Sequence, residues 1–230
     1  MTARYCLADV AALIGEPTRA AMLLGLLDGR ARTATELARL ADLSAPATSL
    51  HLGKLAQGGL VVARKAGRHR YYQLASSDVA RALEALGAIS TAAPPALPSP
   101  AGSALRAART CYDHLAGVLA IELADRLERA RILQVDAEDR YRVTRAGTRW
   151  FGDALDIDVA ALSDARRPLA RRCLDWTERR PHLAGSLGAA LLDRFLQRHW
   201  VARAPDSRAL RVTTHGQAAI ARLARNVSGA

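Results

Sequence analysis

The chain has 230 residues, half of them hydrophobic but only 4% aromatic, so it can bury a sizeable core and that core must be aliphatic. This balance excludes long disorder, and no stretch reaches the roughly 18–20 uninterrupted apolar residues that a membrane span requires. The formal net charge is +11, and of 33 basic residues only Lys54 and Lys65 are lysine; such a balance favours a polyanionic partner without demanding one.

The opening MTARYCLADV has no apolar signal core ahead of a cleavage site, so a cytoplasmic location is expected. Cys6, Cys111 and Cys173 are too few and too scattered for a disulfide framework, and each alone suits a small buried hydrophobe.

Residues 5–14 predict a short helix, with Leu7, Val10, Leu13 and Ile14 at helical spacing and Gly15 ending it. Glu16-Pro17-Thr18 opens a second helix that closes at Asp28-Gly29. Thr33 and Glu36 have the spacing of a capping box for TATELARLA. After the turn at Asp42-Leu43, Ser44 is placed to cap a further helix, with Pro46 in its first turn and Leu50, Leu52 and Leu55 as its apolar positions. Gly58-Gly59 stops it. Two short runs follow, 60–64 and 70–74, on either side of Ala66-Gly67, and they predict a hairpin. Two helices, a tight turn and then a basic hairpin make a winged helix-turn-helix. Asp42 and Asp78 bracket 35 residues without a carboxylate, and Lys54, Arg64, Lys65, Arg68 and Arg70 lie among them. Nothing in that segment would repel a phosphate backbone.

The segment resembles the arsenic-repressor (ArsR/SmtB-type) family of bacterial regulators. The resemblance is carried by Leu13-Ile14-Gly15-Glu16-Pro17-Thr18-Arg19, Glu36-Leu37-Ala38, Leu43-Ser44, Ser49, His51-Leu52, Leu55, Gly59-Leu60-Val61 and residues 67–74 (GRHRYYQL). It covers about the first 90 residues. It implies a helix in the DNA major groove, with Ser44, Thr48, Ser49, His51 and Lys54 facing bases or backbone. It also implies a wing that reaches DNA through Arg64, Lys65, Arg68, His69 and Arg70. His51 and His69 equally suit surface histidines without a specific role. Two departures stand out: Ala45-Pro46-Ala47 replaces a polar run, and Gly53 stands where a lysine is common. Readout would then lean on thymine-methyl contacts and DNA shape. The family's usual inducer sites are missing, because Thr33-Ala34-Thr35 replaces a Cys-x-Cys pair and SDVARALEALGAIS contains no histidine. Val79, Leu83, Leu86 and Ile89 on that last helix suit dimer packing.

A Pro-rich connector, residues 92–103, separates an expected first domain (1–91) from a second (104–230). The second is self-similar. His114-Leu115-Ala116-Gly117 recurs as His182-Leu183-Ala184-Gly185, and Leu119, Leu123, Asp125 and Arg126 return as Leu187, Leu191, Asp193 and Arg194. With one inserted residue, Val143-Thr144 and Gly147 return as Val212-Thr213 and Gly216. The expected architecture is mainly α with small β-hairpins: a winged helix-turn-helix domain, then a duplicated helix-hairpin, winged-helix-like domain with copies at about 104–158 and 166–228. Each copy is expected to start a helix at HLAG. The turns of the repeat carry Glu138-Asp139 and Asp206, so it reads as a sensing or dimerising module and not as a second DNA contact.

Cysteine and histidine lie close only at Cys111-Tyr112-Asp113-His114 and from Cys173 to His182. Cys111 and His114 would share a face of a continuous helix, and an approximate two-fold packing of the repeats would bring His114 to His182. Three readings stay open: a tetrahedral metal site from the two cysteines and two histidines, structural histidines near helix starts, or a pocket for an organic effector walled by Tyr112, Trp176 and Trp200. Against the metal, Cys111 aligns with Arg179 at the repeat's offset, and Cys173 has no counterpart. No cofactor is otherwise implied. The chain carries no phosphate-cradling Gly loop, HExxH or nucleophile elbow, so an enzyme is not expected. The expectation is a homodimeric repressor that binds an imperfect palindrome in double-stranded DNA and answers to an unknown effector. A winged-helix protein-interaction module without specific DNA binding is the alternative.

Overall fold

The computed structural model describes residues 7–66, 69–90, 100–163, 167–205 and 207–227. Cys6, Gly67, residues 92–99, Asp206 and the wing contact expected of Arg68 lie outside them. The chain divides into two compact units, residues 1–83 and 84–230.

The first unit begins with α1 (Leu7–Ile14) and α2 (Pro17–Gly25). Glu16 is the N-cap of α2, its carboxylate accepting from the Thr18 and Arg19 amides at 3.1 and 2.9 Å, and Pro17 occupies the first helical position, where a missing N–H costs nothing. Arg19 turns back, with Nε and an Nη donating to the Leu13 and Ala12 carbonyls at 2.7 Å, and so satisfies carbonyls that the end of α1 leaves open. The Gly-Glu-Pro-Thr-Arg run is thus a helix junction.

A two-residue strand, β1 (Arg32–Thr33), leads into α3 (Ala34–Ala41), and Thr33 and Glu36 form the full capping box. Asp42, in the left-handed region at φ +51°, makes the turn into α4 (Ala45–Gln57). Strands β2 (Val61–Ala66) and β3 (His69–Leu74) pair antiparallel from Val61 opposite Leu74 to Ala66 opposite His69. β1 adds to β3, giving a three-stranded sheet in the order β1-β3-β2. A two-residue strand has too little pattern to be read from sequence, and this one was not expected. Met22, Leu23, Leu26, Leu37, Leu52 and Leu55, contributed by α2, the residue after it, α3 and α4, are almost fully buried and belong to the aliphatic core. Burying each such side chain contributes about 1.5–3 kcal/mol.

Helix α5 (Ser77–Ile89) crosses the division between the units. Composition placed the boundary in the Pro-rich stretch; the compact units part earlier, between Leu83 and Glu84. Glu84, the first residue of the second unit, makes long-range polar contacts within it, which composition does not register. The buried Glu84 carboxylate accepts from Trp176 Nε1 at 2.9 Å and from an Arg208 guanidinium nitrogen at 2.8 Å. Helix α6 (Pro100–Ala107) also starts inside the segment expected to be linker, with Pro100 at a first helical position.

Beyond α6, the order hairpin, helix, hairpin, helix is run through twice. The first passage is β4 (Arg109–Cys111), β5 (His114–Ala116), α7 (Val118–Arg129), β6 (Leu133–Val135), β7 (Tyr141–Val143) and α8 (Arg145–Leu155), followed by a short α9 (Val159–Ser163). The second is β8 (Arg171–Leu174), β9 (Pro181–Ala184), α10 (Gly185–Gln197), β10 (Val201–Arg203), β11 (Leu210–Val212) and α11 (Thr214–Val227). Each hairpin is its own two-stranded sheet.

The recurring motifs now have physical reasons. The helix starts only at the last residue of HLAG, with Gly117 the N-cap of α7 and Gly185 the first residue of α10, while the His-Leu-Ala before it is strand, which refines the expectation. The glycine of HLAG takes a positive φ, +87° at Gly117 and +88° at Gly185, and a Cβ there would lie 2.6 Å from the carbonyl oxygens of Arg106 and Pro168. In the Val-Thr-x-x-Gly motif, Thr144 and Thr213 Oγ1 accept from the Gly147 and Gly216 amides at 3.0 and 2.9 Å while donating to the Arg131 and His199 carbonyls. The core of this unit joins both passages: Leu127, Phe151, Leu155, Leu187 and Phe195 are fully buried in one cluster.

Candidate DNA interface and buried cysteine–histidine cluster

On α4 the expected DNA-facing residues separate into two faces. Ser44 and Ser49 are exposed, as is Lys54. Thr48 is not: it is fully buried in line with Leu52 and Leu55, and its hydroxyl donates to the Ser44 carbonyl at 2.8 Å. Its expected base contact is therefore corrected to a core position. Leu50 changes in the opposite sense, expected inside and found 59% exposed. His51 also turns inward. Its Nδ1 lies 3.3 Å from a carboxylate oxygen of Glu16 at the start of α2. The Arg19 amide, together with this neighbourhood, holds the Glu16 carboxyl down at about 2. The outward face is then Ala45, Pro46, Ser49, Leu50, Gly53 and Lys54. Those small and apolar groups can meet thymine methyls, with one lysine for a phosphate.

On the hairpin, Arg64, Lys65, His69 and Arg70 are all exposed. Lys65 stands directly opposite Arg70 in the register, and Ala66 opposite His69. Like charges directly opposite one another weaken a hairpin. A phosphate placed between them removes that repulsion.

In the second unit the structure gathers the four candidate ligands. Cys111 and His114 are not on a helix; they face each other across the β4–β5 hairpin, as Cys173 and His182 do across β8–β9. β5 packs on α10 and β9 packs on α7, and the two strands also meet, so each hairpin lies against the other passage's helix. Cys111, His114, Cys173 and His182 thereby bring one ligand atom each to within 4.8 Å of one another. The two Nε2 atoms are 3.2 Å apart. His182 is fully buried, His114 is 3% exposed, and Cys111 is buried.

Carboxylates stand behind both imidazoles. His114 Nδ1 is 3.2 Å from Asp113 Oδ1, and His182 Nδ1 is 3.6 Å from Asp175 Oδ2. Burial would raise both carboxyls, but cations and hydrogen bonds outweigh it. Arg167 holds Asp113 below its ordinary value. Arg109, Thr177 and the Gly117 amide hold Asp175 well below its own. Arg109 is itself fully buried, 2.9 Å from Asp175 and over the ring of Trp176. The Cys111 thiol is pushed up to about 12 by its hydrogen bond with Cys173 and by burial. Glu84 Oε2 lies 3.5 Å from its sulfur.

The apparent mismatch at Cys111 comes from the place chosen for the alignment gap. Ala108-Arg109-Thr110-Cys111-Tyr112-Asp113 matches Ala170-Arg171-Arg172-Cys173-Leu174-Asp175 at an offset of 62, whereas HLAG recurs at 68. The six extra residues sit in the β8–β9 turn. The strand pairing makes Cys111 the counterpart of Cys173 and gives both passages the pattern Cys-x-Asp followed by His. That signal was present in the sequence.

The three aromatics expected around a pocket have separate surroundings. Trp200 is a core side chain against Phe195, Trp176 is buried beneath Arg109, and Tyr112 is 52% exposed. A groove lined by Ser103, Arg106, Ala107, Val118, Leu119 and Glu122 contains none of them. No helix among the described residues is long and apolar enough to cross a membrane.

Residues 14–64 match a family model described as a helix-turn-helix domain. The HTH-type transcriptional regulator YdfF of Bacillus subtilis (strain 168) is 42% identical over 216 residues, covering 93% of this chain and 94% of the relative. Among solved structures, the homodimeric winged helix-turn-helix DNA-binding domain of Mb0332 from Mycobacterium bovis, a possible ArsR-family regulator, is 31% identical over 35% of this chain and 73% of its own, with a TM-score of 0.33. The cadmium metal-sensor CMTR from Mycobacterium tuberculosis is 36% identical over 40% of this chain and all of its own, with a TM-score of 0.32.

Proposed function

This chain belongs to the HTH-type transcriptional regulators, and we propose that it is a homodimeric repressor that binds an imperfect palindrome and is tuned through its second unit. The observation that carries the DNA-binding part is the hairpin. Lys65 and Arg70 stand side by side and exposed, within a run from Leu43 to Ser77 that holds no carboxylate. A polyanion is the partner that this arrangement fits. Ser49, Leu50 and Lys54 on the outward face of α4 would enter the major groove, and Arg64, Lys65, His69 and Arg70, with Arg68, would contact the flanking backbone.

Dimerisation is supported by α1, an apolar helix in which no residue is buried and Leu7 is 71% exposed. Leu86 and Ile89 on α5 are likewise exposed, at 47% and 77%. A second copy would cover such faces. The two passages of the second unit read as a duplication that provides an effector-responsive module, its effector a small molecule, a metal or a thiol-reactive compound. As a DNA-binding regulator it would act in the cytoplasm.

The test is selection from a random double-stranded pool by the purified protein, followed by footprinting of the selected sequence. A discrete protected site with two related halves is expected. Uniform protection at every sequence would reduce the claim to non-specific binding. Salt-insensitive capture of a protein and no DNA would replace it with an interaction module.

A further inference from the structure

We propose that Cys111, His114, Cys173 and His182 are the four ligands of a closed, tetrahedral site for a borderline divalent cation of the zinc class. The site stands on geometry within the second unit; only its regulatory consequence rests on the function proposed above.

The donor set comes first. Two thiolates and two imidazoles make the composition that selects zinc-like ions over magnesium or calcium, which take oxygen ligands. Two thiolates and one divalent ion also sum to zero. The ion can therefore replace two thiol protons without adding net charge to a buried position.

The spacing fits. Metal–nitrogen bonds of about 2.0–2.1 Å at a tetrahedral angle place two ligand nitrogens about 3.3 Å apart, and His114 and His182 Nε2 are 3.2 Å apart. The two sulfurs lie within the same 4.8 Å cluster.

The orientation of the rings is the third argument. Asp113 and Asp175 lie on the Nδ1 side of the two histidines, the place where a carboxylate fixes the tautomer of a metal-ligating imidazole. In the tautomer that puts a proton on each Nδ1, the two Nε2 lone pairs face each other 3.2 Å apart in a buried space. A cation between them removes that conflict. Among the described residues His182 Nδ1 has no hydrogen-bond partner at its present 3.6 Å from Asp175, so a small movement of the ring toward the carboxylate would complete the arrangement. All four positions around the ion are taken by protein, which makes it a structural or regulatory site and not a catalytic one. Because each hairpin supplies one cysteine and one histidine, the ion joins the β4–β5 hairpin to β8–β9.

The experiment uses the reduced, chelator-treated full-length protein titrated with Co²⁺ as a spectroscopic probe and then with Zn²⁺. One equivalent per protomer is expected, with thiolate-to-cobalt charge-transfer bands and the intense d–d absorption of four-coordinate cobalt, and Zn²⁺ should displace it. Cys111→Ser and Cys173→Ser should each weaken the charge-transfer bands, and the double variant should abolish them, while Cys6→Ser should leave them intact. Far-ultraviolet circular dichroism and a thermal melt separate loss of ligand from loss of fold. His182→Gln provides a second variant that keeps both thiols and should lower affinity at least tenfold. The proposal is overturned if the folded, reduced protein takes up no ion, if only a Cys111–Cys173 disulfide forms, or if the bands persist in the double variant. DNA binding is measured in parallel. Metal uptake with unchanged DNA affinity would support the site and remove its regulatory role; DNA binding without metal uptake would overturn the site and its regulatory role and leave the DNA-binding reading standing.

Discussion

Replacing Lys65 and Arg70 together with alanine separates a binding role for the wing from a structural one. The two side chains are exposed and directly opposed in the β2–β3 register. Their mutual repulsion costs the free protein a few tenths of a kcal/mol, up to about 1 kcal/mol. The double variant should therefore melt at the wild-type temperature or slightly above it. If each residue neutralises one phosphate, the plot of log affinity against log salt loses about 1.8 units of slope for each wing engaged, or about 60-fold in affinity at 0.1 M salt. Near 1 M salt the two proteins should bind almost equally. Fluorescence anisotropy with a labelled selected site, run at four or more salt concentrations, reads the slope, and scanning calorimetry reads the melt. An unchanged slope would refute the wing as a phosphate contact. A salt-independent loss of affinity with a lowered melting temperature would show that the variant had damaged the sheet instead.

Three further outcomes follow from the geometry. Thr33→Ala should cost about 1 kcal/mol in chemical denaturation, whereas Ser44→Ala should cost far less, because Thr33 makes a full capping box and Ser44 makes no side-chain cap bond. Backbone and hydroxyl bonds from Thr33 hold the Glu36 carboxyl below its ordinary value, so the box contributes fully above an unfolded pKa of about 4.3 and fades as pH falls through the lower folded value. The Thr33→Ala penalty should accordingly shrink in acid, and a constant penalty down to low pH would contradict this. Arg109→Ala should destabilise the second unit by about 3–5 kcal/mol, because it leaves the fully buried Asp175 without its cation; a loss below 1 kcal/mol by urea denaturation would show that water reaches the site. Gly216→Ala should be among the most damaging single methyl additions in the chain, since its Cβ would lie 1.9 Å from the Trp200 carbonyl oxygen. A folded variant with an unshifted melting temperature would contradict that contact.

The winged helix-turn-helix was legible because its signals are local. Caps at Glu16 and Thr33, helical spacing of leucines and a glycine-centred hairpin act within a few residues, so order along the chain carries them. The faces of α4 were less legible. Thr48 and Leu50 are two residues apart, and polarity alone assigns the threonine outward and the leucine inward. The helix places Thr48 in register with Leu52 and Leu55, where its hydroxyl is satisfied by the Ser44 carbonyl, and so reverses both.

By itself the sequence determined the DNA-binding module, the basic run that contains the wing, and the recurrence of HLAG and Val-Thr-x-x-Gly. Only the tertiary structure decided that the two cysteines and two histidines come together. Three-residue strands such as β4 and β5 carry too little periodicity to be told from a helix start, and the six-residue insertion in the second hairpin hid the match between Cys111 and Cys173. Their convergence depends on each hairpin packing against the other passage's helix. That is a long-range contact, and no local propensity encodes it.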